Sequence, residues 1–333
     1  MKRLLLSFAC MSAILASPSA SAQGTAPSGP IAFDVASVRP SKPDAPQHNN
    51  VPLDAGNVYG AVNSDDVRSA AGGLFIATHQ ALWRYISFAY KLSGTQELAL
   101  RFNMFSGAPK SGAPLWVTGS FTGGSDYFDI TARAPADTSV NQMRLMMQAL
   151  LADRFHLVIH YTSADAPVSA LVLVKTGATG PHLQPHPAAD VCKLPRSEKL
   201  DPTVDATPHP AAFASSVGAL PPLCGLIAHV PSADPGQHYG GRAVPLNLLA
   251  TSLPTMTGLA AMPRPVVDET GLSGLYDFTL SWLHDATPDD SSVADNVSNF
   301  RDALKKQLGL TLKSDHAPIS FLIVDHVEKP SEN

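Results

Sequence analysis

The sequence predicts an α+β fold of repeated helix-plus-β-hairpin units, with antiparallel sheets and helices packed on one face. Three observations predict it. Runs such as Tyr127 to Ala134 and Tyr276 to Leu283 alternate apolar and polar residues with the period of half-buried strands. Met143, Met146, Met147, Leu150 and Leu151 recur at helical spacing and form the clearest apolar stripe. A segment also repeats: Ala166-Pro167-Val168-Ser169-Ala170-Leu171-Val172 compares with Ala317-Pro318-Ile319-Ser320-Phe321-Leu322-Ile323, each after an amphipathic helix. One such unit cannot bury its own apolar face, so copies must share a sheet or pack together. Up to four units are expected.

Taken in order, Phe33 to Val38 reads as a strand ended by Pro40 and Pro43. Gln47 to Gly73 is polar and reads as a long loop or irregular hairpin. Leu82, Ile86, Ala89 and Tyr90 make a one-faced helix, with Thr78 as N-cap and Gly94 as breaker. Ser139 or Asn141 caps the methionine-striped helix. Phe155 to Tyr161 and Val168 to Lys175 then read as two strands turning around Asp165-Ala166-Pro167. From Thr176 to Gly240 there are 11 prolines in 65 residues, and little regular structure is expected. Leu246, Leu249, Ala250 and Leu253 form the next helix, closed by Pro254 and Gly258. Arg264 to Val267, Tyr276 to Leu283, a helix through Phe300, Ala303, Leu304 and Leu308, and strands Leu310 to Leu312 and Ile319 to Val327 complete the chain. The expected organisation is a leader (1–22), an N-terminal α+β half (23–175), a proline-rich excursion (176–240) and a C-terminal α+β half (241–333).

The leader has the parts of a signal peptide. Lys2 and Arg3 are followed by the apolar stretch Leu4 to Leu15 and by Ala20-Ser21-Ala22 before Gln23. The stretch is too short to span a bilayer. An exported, periplasmic or extracellular protein is therefore expected, with no membrane span after cleavage. Cleavage removes Cys10 and leaves Cys192 and Cys224, an even pair for which a disulfide is the default in an oxidising compartment. The formal net charge of −5 and pI near 6.1 argue against an electrostatic nucleic-acid binder. At 44% hydrophobic and 15% charged, the composition argues against a long disordered chain.

No phosphate-binding glycine loop, H-E-x-x-H or S-x-x-K motif occurs, and no cofactor is implied. Gly271-Leu272-Ser273-Gly274-Leu275 lacks the last glycine of a nucleophile elbow and reads as a tight turn. In that reading Gly271 and Gly274 supply positive φ or close approach, and Asp268 and Thr270 bond turn amides. Asp268, Asp277 and His284 are the weak candidates for acid–base work. His182 and His186 are four apart, but Pro181, Pro185 and Pro187 deny them a helix, so no metal site is assigned. His156 and His160 are expected on one face of a strand.

FDVASVRPSKP (Phe33 to Pro43), Phe128-Asp129-Ile130, LLADRFHLVIH (Leu150 to His160), PVVDETGLSGLYDFTL (Pro265 to Leu280), QLGLTL (Gln307 to Leu312) and IVDHVEKPSEN (Ile323 to Asn333) together resemble a family of secreted, soil-associated bacterial proteins. That family carries the label domain of unknown function. Arg101 to Thr122 departs from its pattern, with only Gly112-Ala113-Pro114-Leu115-Trp116 similar to its Gly-Pro-x-Trp turn. The resemblance implies an envelope role, because relatives accompany or are fused to sensor-type membrane metallopeptidases, and it supplies no catalytic residues. Two readings follow. The first is a non-enzymatic envelope interaction module that binds a protein or peptide, with a sensor peptidase as one partner to consider. The second is an extracytoplasmic hydrolase with an unrecognised acidic/His site.

Overall fold

The computed structural model describes residues 31–51, 53, 72–103, 105, 107–119, 123–190, 220–221, 224–257, 262–283 and 290–330. Strand β1 (Val35–Pro40), β2 (His48–Asn49), β3 (Leu74–Ala81) and β4 (Tyr127–Arg133) form a four-stranded antiparallel sheet in the order β1-β4-β3-β2. The alternation along β4 buries Phe128, Ile130 and Ala132. Helices α1 (Leu82–Tyr90) and α4 (Val140–Phe155) contribute Leu82, Ile86, Phe88, Met143, Met147 and Leu151 to the core over this sheet. A second sheet joins β6 (Leu183–Pro185), β7 (Leu226–His229), β8 (Gln237–Val244) and β10 (Tyr276–Trp282) in the order β6-β10-β8-β7. Helix α5 (Leu246–Thr257) and α6 (Asp290–Ala303), which runs on into a π turn at Leu304–Leu308, bury Leu249, Leu253, Phe300 and Leu304 in its core. Two further helices, α2 (Gly94–Phe102) and the short α3 (Leu115–Thr118), belong to the first half.

The two sheets are the same arrangement used twice. In each, a strand–helix pair (β3–α1, β8–α5) is followed by a central strand (β4, β10), a helix (α4, α6) and one very long strand. The long strands are β5 (Val158–Leu173) and β11 (Leu310–His326). They pair antiparallel along nearly their whole length, with Ala166 opposite Ala317. The repeated Ala-Pro segments therefore meet at the middle of the ribbon. Each long strand starts in its own core and ends in the other: Leu322 and Val324 of β11 sit in the first core, and Leu171 of β5 in the second. Short β9 (Val266–Asp268) lies parallel to β5, and the carbonyl of Ser111 accepts from Val324 N–H at 2.8 Å on the opposite edge. Leu98 and Phe105 pack with Ala166 and Phe321 in a small third cluster.

The α+β class with antiparallel sheets is what the chain adopts, but the unit differs from expectation. It is a helix with one long strand, not a hairpin, and it occurs twice. Asp165-Ala166-Pro167 is not a turn. Phe155 ends α4, and His156 is its left-handed cap (φ 49°) rather than a strand residue. Gly94 opens α2, where Ser93 and Gln96 form a capping box. Thr78 lies in β3 and its hydroxyl donates to Pro46, so it does not cap α1. Helix α5 continues through Pro254 to Thr257. The proline-rich stretch supplies β6, β7 and the start of β8 to the second sheet. From Ile31 onward the chain forms one compact unit.

Candidate functional site

Asp268 ends β9, and its carboxylate closes the turn that follows. Oδ1 accepts from Thr270 N–H at 3.0 Å and from the Thr270 hydroxyl at 2.7 Å; Thr270 Oγ1 in turn accepts from Leu272 N–H at 3.2 Å. Gly271 and Gly274 have φ of 69° and 94°. Asp277 lies on a different sheet. Its Oδ1 accepts from Ala243 N–H at 2.8 Å and faces His186 Nδ1 at 2.8 Å. His284 lies outside the described residues, as does Cys192. Cys224 is buried at the entry to β7.

The Asp277–His186 pair has the outline of an acid–base couple, but His186 Nε2 faces the backbone carbonyl of Asp190 at 3.0 Å. Both ring nitrogens are engaged, and neither is left to take a substrate proton. Asp190 also ion-pairs with Arg242 of β8. The network fastens residues 186–190 onto the second sheet. Among the described residues no three His, Cys, Asp or Glu side chains gather as a metal site requires.

The duplicated fold allows a comparison of the two copies position by position. Pro40 and Pro185 both stand opposite the first residue of the buried run in the central strand, Phe128 and Tyr276, and Gln80 and Val244 flank the same two residues. Asp129 therefore corresponds to Asp277, and His79 to Ala243. Both of the latter have left-handed backbones, φ 52° and 50°, and both donate their N–H to the matching carboxylate at 2.8 Å. The carboxylate in each copy clamps a strand bulge where a non-glycine residue is otherwise disfavoured.

Around that shared clamp the first copy carries groups that the second lacks. The His79 ring stacks on Tyr127 with centroids 4.2 Å apart, and its Nδ1 lies 3.1 Å from Ser41 Oγ. Among the described residues no carboxylate is hydrogen-bonded to the ring; Asp129 Oδ1 instead accepts from the main-chain N–H of His79. Trp83 and Arg84 open α1, and α2 brings Glu97 and Arg101 against them. The Arg101 guanidinium lies 3.8 Å from the Trp83 ring centroid and 4.5 Å from that of Phe102, and the Arg84 guanidinium is 4.9 Å from Trp83. Arg101 Nη1 is 3.4 Å from Glu97 Oε1, and the Ser87 hydroxyl donates to Oε2 at 3.3 Å. Burial pushes the Glu97 carboxyl up from its ordinary value, against the opposing pull of Arg101, Arg84 and Ser87. The His79–Tyr127 pair and the arginine–tryptophan group are together the rim of the first copy; Tyr127 exerts the smallest of the electrostatic influences on Arg101. The corresponding helix positions in the second copy are Asn247 and Leu248, and Leu275 stands for Tyr127.

None of these rim residues is singled out by sequence motifs. They come from five separate segments, and the one available signal is Trp83-Arg84 at the start of an otherwise apolar helix.

A family model described as Protein of unknown function (DUF3738) matches residues 84–327. The chain belongs to this family. The DUF3738 match begins in α1 and ends just past β11, so it takes in both long strands and the whole second sheet. It assigns no role to any residue. No curated protein and no solved structure matches the chain.

Proposed function

We propose that this DUF3738 protein is an exported, non-enzymatic binding module of the bacterial envelope, and that it recognises a protein or peptide partner through the rim of its first copy. One observation carries the reading. The same fold is built in the second copy with Ala243, Leu248 and Leu275, so the fold does not require His79, Arg84 and Tyr127 where they stand, whereas Trp83 is buried in the first core and braces the arginines from below. Polar and aromatic groups that a fold can do without, gathered from several elements, are the usual mark of recognition. Export rests on the Lys2–Ala22 leader, and a sensor-type membrane metallopeptidase, which the family resemblance suggests, is the first partner to test.

The hydrolase reading has less support. Asp268 is bonded within its own turn, Asp277 clamps a bulge, and the two lie on different sheets. Tagged Gln23–Asn333 is to be used as bait on native envelope extract, beside an Arg84→Gln variant of equal melting temperature. A partner retained by the first and lost by the second is the expected result. Identical captures from both baits refute the rim.

A further inference from the structure

The rim holds two guanidinium groups and one carboxylate, and the arrangement is unbalanced. Both oxygens of Glu97 are already engaged, one by Arg101 and one by Ser87. Arg101 Nε is buried without an acceptor. Arg84 has no hydrogen-bond acceptor or ion pair among the described residues, and its contact is with the face of Trp83. A guanidinium presents a planar fork of donors matched to the two oxygens of a carboxylate or phosphate. Here both forks are held against one indole, so little side-chain freedom remains to be lost on binding. The helix that carries Arg84 has leucine at the same position in the second copy, so the cation is not a requirement of helix packing.

We infer that Arg84 and Arg101, braced on Trp83, bind an oxyanion, the carboxylate or phosphate group of a partner or ligand. This rests on the rim being the recognition site and names the chemistry that it reads. Arg84 supplies the free fork, and Arg101, whose Nε is buried and whose Nη1 faces Glu97, adds its positive charge beside it.

The test uses the mature chain and its tryptophan fluorescence, titrated with inorganic phosphate and separately with acetate, against sodium chloride at matched ionic strength. Trp83→Phe identifies the share of the signal that comes from Trp83. A saturable change with at least one of the two anions is expected, weakened about tenfold or more in Arg84→Gln and partly kept in Arg84→Lys. Stronger binding of phosphate points to a phosphorylated ligand, and stronger binding of acetate to a peptide carboxylate. A response that follows ionic strength alone, or one unchanged in Arg84→Gln, overturns the inference and leaves Arg84 as packing only. Rim-dependent capture of a partner without anion binding would refute the oxyanion and keep the rim. Anion binding without rim-dependent capture would do the reverse.

Discussion

Gly112 and Gly271 both have left-handed backbones, φ 71° and 69°, but they have different surroundings. A Cβ on Gly271 would meet open space, whereas one on Gly112 would run into the carbonyl oxygen of Val324 in β11. Gly271→Ala is therefore expected to cost only the left-handed penalty, about 1–2 kcal/mol. Gly112→Ala adds a backbone clash that must displace β11, for a total of about 3 kcal/mol or more. Melting curves decide, and equal losses would refute the distinction. The turn at Gly271 was legible because Asp, Thr and Gly have local preferences. The close approach at Gly112 was not, because its neighbour is more than 200 residues away. Glu97 gives a prediction with a sign. Its carboxyl is raised by burial in the folded chain, so the native state holds the proton to higher pH than the unfolded chain, whose ordinary value is 4.5. Below that value both states are protonated and the group has no effect. As pH rises above it the native state loses stability relative to the unfolded state. The melting temperature of Glu97→Gln minus that of the wild type should therefore climb as pH rises from about 4.5 and then level off. A difference that falls over this range would show that Arg101 and Arg84 outweigh burial.

Pro167 and Pro318 are turn signals in the sequence, yet both lie inside the long strands, and the reason is geometric. The N–H groups of Ser169 and Val324 point away from the ribbon, to Pro265 and Ser111. Residues two apart on a strand point the same way, so the missing N–H groups of Pro167 and Pro318 would also have faced outward. Neither proline removes a bond from the β5–β11 ladder, and a local turn signal gave way to tertiary pairing. The helix with the methionine stripe and the alternating strands β4 and β10 were legible, since periodicity alone defines them. The shared clamp at Asp129 and Asp277 was not, because two three-residue strings with one common aspartate are too short to reveal a duplication. The proline-rich excursion raises the matter of Cys192. The Asp190–Arg242 ion pair holds the segment two residues before it against β8, and Cys224 bridges to the same Arg242. Asp190 and Cys224 thus both lie at Arg242, which supports the proposal of a Cys192–Cys224 disulfide. Thiol labelling of the denatured, unreduced mature protein should find no free thiol, and two reactive thiols would refute the bridge. Closing a loop of this length is worth about 3–4 kcal/mol in the chain-entropy model. Cys192→Ala should accordingly lower the melting temperature.

Across the whole molecule, the crossing of β5 and β11 ties the stability of one half to the other. Leu322 and Val324 help to fill the first core but belong to the strand that follows α6 of the second half; Leu171 does the converse. Pulling either long strand out would open both cores and break the ladder centred on Ala166 and Ala317. Neither half can therefore unfold without exposing apolar surface in the other, which is the condition for one cooperative transition. A cavity in the first core tests this. Met147 is fully buried there, and Met147→Ala is expected to cost about 2–5 kcal/mol. The readout is hydrogen exchange at Phe278 and Leu280 of β10, which lie in the second core. If the ribbon couples the halves, protection at these amides falls by the same free energy as protection at Ile130 in the first sheet, and the denaturant curve keeps a single midpoint. Protection in β10 that stays at its wild-type level while Ile130 loses it would mean two independently folding halves, with the long ribbon adding contact between them but no cooperativity.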